Sequence, residues 1–66
     1  MSKPYLEQIA GLCGGGHCPT VYRTDRGTYV VQGYTLDAAE AGLDLAPGEA
    51  LVEIPAELFT EAHRAA

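Results

Sequence analysis

Two runs rich in β-branched and aromatic residues, Thr20-Val21-Tyr22-Arg23-Thr24 and Thr28-Tyr29-Val30-Val31-Gln32-Gly33-Tyr34, are separated by Asp25-Arg26-Gly27. Such runs read as strands, and three intervening residues ending in glycine match a hairpin loop built from a type I turn closed by a residue at positive φ. The loop length then dictates the pairing. Thr24 faces Thr28, Tyr22 faces Val30 and Thr20 faces Gln32 on one side of the ribbon, while Arg23 faces Tyr29 and Val21 faces Val31 on the other. Both sides carry apolar residues. A ribbon that is apolar on both faces needs cover on both, and this is what most restricts the fold.

The rest of the chain has little material with which to supply that cover. It has 66 residues in all, 47% of them hydrophobic by a wide count, and nine carboxylates against four basic side chains give a net charge of −5. A chain this short buries only about 60% of its unfolded surface, and its own core contributes about 3–5 kcal/mol. A partner subunit, a metal or a disulfide is the usual supplement. With a pI near 4.6, no large basic surface exists to neutralise phosphates, which argues against direct binding of nucleic acid. No run approaches the roughly 18 apolar residues that cross a bilayer, and the N-terminus lacks the apolar segment of a secretory signal, so a cytoplasmic location without membrane association is expected.

Residues 1–66 read as one small domain in three stretches. In residues 1–12, apolar side chains at Tyr5, Leu6, Ile9 and Leu12 recur at helical spacing after Pro4, which predicts a short N-terminal helix or arm. Residues 13–19 hold Gly14-Gly15-Gly16 between two cysteines and form a loop, because successive glycines lose too much backbone entropy in a regular element. Residues 20–64 hold the hairpin, an interrupted alanine-rich stretch from Leu36 to Gly48 read as a frayed turn or ordered loop, a third strand at 49–54, and a C-terminal helix opened by Pro55. Glu57 and Glu61 towards the start of that helix, with His63 and Arg64 at its end, complement the helix dipole. The expected architecture is α+β: a small three-stranded antiparallel sheet with a short N-terminal helix and a C-terminal helix.

Two sets of residues stand out for function. Cys13, His17 and Cys18 place two thiols and an imidazole within six residues, and His63 could complete a tetrahedral zinc site, so a zinc-stabilised mini-domain is one reading. The blander reading makes Cys18 a small buried hydrophobe and Cys13 a half-exposed thiol. A disulfide between the two ranks behind zinc in this reasoning, because so short a ring removes little unfolded-state entropy and a reducing compartment opposes it. No acid and base pair within a plausible pocket, so the chain reads as no enzyme and as needing no cofactor other than zinc in that alternative. The second set is aromatic and apolar. Tyr22, Val30, Tyr34 and Phe59 are the expected partner-binding residues, and a homodimer that covers the ribbon's second face is the expected assembly.

The order of motifs also resembles a family. Gly14-Gly15-Gly16-His17-Cys18, the hairpin from Val21 through Gly27 to Val31, and the strand Leu51-Val52-Glu53-Ile54 running into Pro55-Ala56-Glu57-Leu58-Phe59 are similar, over residues 14–64, to the very small actinobacterial regulatory proteins of the BldB-like type. Those proteins carry threonine where Ile54 stands and tryptophan where Leu58 stands. The resemblance implies a non-catalytic accessory regulator of transcription or development that self-associates or binds a helix-turn-helix regulator.

Overall fold

The computed structural model describes residues 5–12 and 18–65. The chain runs β1 (Leu6–Gly11), β2 (Thr20–Thr24), β3 (Tyr29–Gln32), β4 (Tyr34–Leu36), α1 (Ala38–Ala41), β5 (Leu51–Glu53) and α2 (Ala56–Ala65). β1, β2 and β3 form a three-stranded antiparallel sheet in that order, and β4 and β5 form a separate two-stranded one. With α2 alongside, the class is α+β as expected.

The hairpin has the register its loop demands: Thr20 pairs with Gln32, Val21 with Val31, Tyr22 with Val30 and Arg23 with Tyr29. Gly27 sits at φ 75°, the left-handed conformation that closes a three-residue loop. The turn is held from inside by Thr24. Its Oγ1 accepts from the Arg26 and Thr28 amides at 3.1 and 3.3 Å and shares a 2.7 Å hydrogen bond with the Thr28 hydroxyl. A buried hydroxyl needs such partners to offset its lost hydration, and Thr24 is buried.

The expected N-terminal helix is not present; residues 6–11 are β1, hydrogen-bonded to β2. The pairing runs from Leu6↔Thr24 to Gly11↔Thr20 and shifts by one residue between Gln8 and Ala10. This bulge explains the misreading. An extra residue interrupts the two-residue alternation, so the successive residues Ile9 and Ala10 both reach the core and the apolar spacing imitates a helix.

The third strand of the sheet is therefore β1, whereas the expected third strand pairs elsewhere. β5 lies against β4, with Tyr34 opposite Glu53, Thr35 opposite Val52 and Leu36 opposite Leu51. The run read as one strand from Thr28 to Tyr34 is divided at Gly33 into β3 and β4. A Cβ on Gly33 would lie 2.7 Å from the Ile54 Cγ2 and 2.8 Å from the Glu53 carbonyl oxygen. Only glycine lets the chain leave one sheet and enter the other this close to the β5–α2 junction. After β4, Asp37 caps the single turn α1 by accepting from the Ala39 amide at 3.1 Å. Gly42, at φ 71°, ends it with amide bonds from Gly42 to Ala39 and from Leu43 to Ala38, a Schellman closure.

The core is small: Ala10, Val21 and Leu58 are buried, with Ile9, Ile54 and Ala62 packed against them. Leu58 is fully enclosed. α2 lies over β1 and β2, and Arg23 ties its end by donating to the Ala65 carbonyl at 3.2 Å. No helix among the described residues is long and apolar enough to cross a membrane.

Candidate functional site

Because α2 sits over β1 and β2, the helix side of β3 is left open. Val21 and Val31 are cross-strand partners, as are Arg23 and Tyr29, so all four point to the helix side. Val21 is buried under α2, whereas Val31 and Tyr29 remain 39% and 55% exposed. Between them and the helix runs a groove of about 280 Å³ lined by Val21, Tyr29, Val31, Ile54, Phe59, Ala62 and His63. Phe59 follows the fully buried Leu58 and is 72% exposed. The apolar residues of α2 thus divide: Leu58 enters the core, Ala62 borders it and Phe59 forms the outer wall of the groove. None of the nine carboxylates in the sequence lines it.

The four expected contact residues do not meet in one place. Phe59 lines the groove. Tyr22 and Val30 pair on the opposite face of the hairpin, with Tyr22 half-buried and its hydroxyl 3.1 Å from the Gln32 Oε1, to which it donates. Tyr34 is 69% exposed on β4 and borders a shallow hollow with Cys18, Pro19, Gln32 and Gly33. Tyr29 and Val31 belong to the groove and were not among the expected contacts. Their signal lay in the hairpin register, which already put them on one side with Val21.

Of the four expected metal ligands, Cys13 and His17 lie outside the described residues. Cys18 is disulfide-bonded in this structure. A sulfur in a disulfide has no thiolate to offer zinc. His63 is exposed on α2 and lines the groove. Among the described residues no three His, Cys, Asp or Glu side chains gather closely enough to hold a metal ion.

What the arrangement offers chemically is an apolar concavity free of carboxylates with one imidazole at its rim. Its geometry suits burial of apolar side chains from another surface. In comparisons with known proteins, no family model, no curated protein and no solved structure matches the chain.

Proposed function

We propose that this chain is a non-catalytic protein–protein interaction module whose docking surface is the groove between α2 and β3. The observation that carries the reading is the exposure of Tyr29, Val31 and Phe59 around one concavity, set against three buried apolar residues among the described ones. Contiguous apolar surface on so small a domain is costly in water unless another surface covers it. Self-association is the first mode of action, and an accessory role in gene regulation, through a DNA-binding regulator, is what the resemblance of residues 14–64 adds. Sedimentation equilibrium and native mass spectrometry test the reading on wild type and Phe59→Asp. Phe59 is exposed, so the substitution leaves the core intact while placing a carboxylate in the groove. The expected result is a wild-type complex that the variant weakens by at least about tenfold. Equal association of the two proteins would overturn the groove as the docking surface.

A further inference from the structure

We propose that the occupant of the groove region is a second copy of this chain, joined antiparallel along the outer edge of β3 so that two three-stranded sheets become one sheet of six strands. This rests on the interaction-module reading and specifies its partner and geometry. The two edges of the sheet are unlike. β1 is irregular, bulged between Gln8 and Ala10, and carries Glu7, devices that discourage pairing with another chain. β3 reads Tyr29-Val30-Val31-Gln32, without a bulge, a proline or a charge, and its first three residues are exposed. Among the described residues no strand pairs with its outer side.

Alternation within the hairpin sets the register of the proposed contact. The Thr24 amide donates to the Thr28 carbonyl at 3.0 Å at the turn, so the groups of Val30 point inward to β2 and those of Tyr29 and Val31 point outward. Two copies related by a twofold axis at Val30 then pair Tyr29 with Val31 of the other copy, in both directions, through about four backbone hydrogen bonds. The same operation brings the two grooves together, because Tyr29 and Val31 of both copies lie on one face. Each Phe59 then borders the strand of the other copy.

Charge favours this occupant. Two chains of charge −5 can meet only where carboxylates are missing, and the groove is such a place. A basic partner would find no complementary charge there.

Val31→Pro tests the edge. The Val31 amide points away from β2, so proline leaves the hairpin ladder intact and removes a donor needed only by the second copy. The expected result is a folded protein, by circular dichroism and amide NMR, that is monomeric where wild type is dimeric, a rise of at least about a hundredfold in dissociation constant. A dimer that Phe59→Asp breaks and Val31→Pro leaves intact would overturn edge pairing while sparing the groove reading. A wild type that stays monomeric at every concentration would overturn edge pairing outright, and a complex only with a different protein would make that protein the occupant. Should Val31→Pro fail to fold, Val30→Cys decides the matter. At the axis the two Cα atoms lie about 4.5 Å apart, within disulfide reach. Mild oxidation should link Val30→Cys chains faster than Val52→Cys chains, whose exposed site is on the other sheet, and equal rates would refute the pairing.

Discussion

Gly33→Ala is the substitution whose consequence the structure defines most closely. Gly33 is not among the described glycines at positive φ, so alanine is not penalised by backbone conformation, and restricting the unfolded chain would by itself stabilise by about 0.4–1 kcal/mol. Against that stand two contacts of the new methyl group, 2.7 Å to the Ile54 Cγ2 and 2.8 Å to the Glu53 carbonyl oxygen. The second partner is backbone in β5, which cannot turn aside as a side chain can. Overpacking of this kind costs about 1–3 kcal/mol, and the expected net loss is about 1–2 kcal/mol. For a domain of this length that lowers Tm by about 10 °C.

Thermal and urea unfolding followed by circular dichroism would measure the loss, with Gly27→Ala as a comparison. Gly27 has nothing within 4 Å of its would-be Cβ but sits at φ 75°, so its cost of about 1–2 kcal/mol is one of backbone conformation. Ile54→Ala separates the two. Paired with Gly33→Ala it should show a coupling above about 0.5 kcal/mol, because one of the two contacts is removed, while with Gly27→Ala the effects should add. A Gly33→Ala protein as stable as wild type, or additive with Ile54→Ala, would refute the claim that close approach at Gly33 places the two sheets.

Other substitutions test the remaining supports. Leu58 is 0% exposed, and Leu58→Ala should cost about 2–5 kcal/mol, most of what so small a domain has; amide NMR should show collapsed dispersion, and a cooperative transition near the wild-type midpoint would contradict the core assignment. Thr24→Val strips the acceptor from two amides of the turn and should cost about 1–3 kcal/mol. Thr28→Val leaves that acceptor in place and should cost less, so a reversed order in urea unfolding would show that Thr24 is not the centre of the turn.

The parts of the fold legible in the residues are those settled between near neighbours. Asp25-Arg26-Gly27 closes a loop whose length admits one pairing of the flanking strands, so the hairpin and its partners from Thr20↔Gln32 to Arg23↔Tyr29 could be written down directly. Pro55, the acidic first turn and the basic last turn likewise announced α2. The candidate site was legible in part. Of the four expected contact residues Phe59 lines the groove, whereas Tyr22, Val30 and Tyr34 lie on other surfaces, since apolar character names candidates without saying which face a helix will cover.

What the sequence by itself determined, then, is the hairpin with its register and the C-terminal helix, because turn geometry and capping act over a few residues. Tertiary structure decided the rest. Residues 6–11 are a strand only because β2 offers a free edge and a bulge admits both Ile9 and Ala10 to the core. The division at Gly33 depends on how closely Ile54 approaches, some twenty residues away in the chain. The open groove beside β3 follows from where α2 comes to rest, over β1 and β2, and that position is set by the burial of Leu58 against Ala10 and Val21, a contact no local pattern encodes.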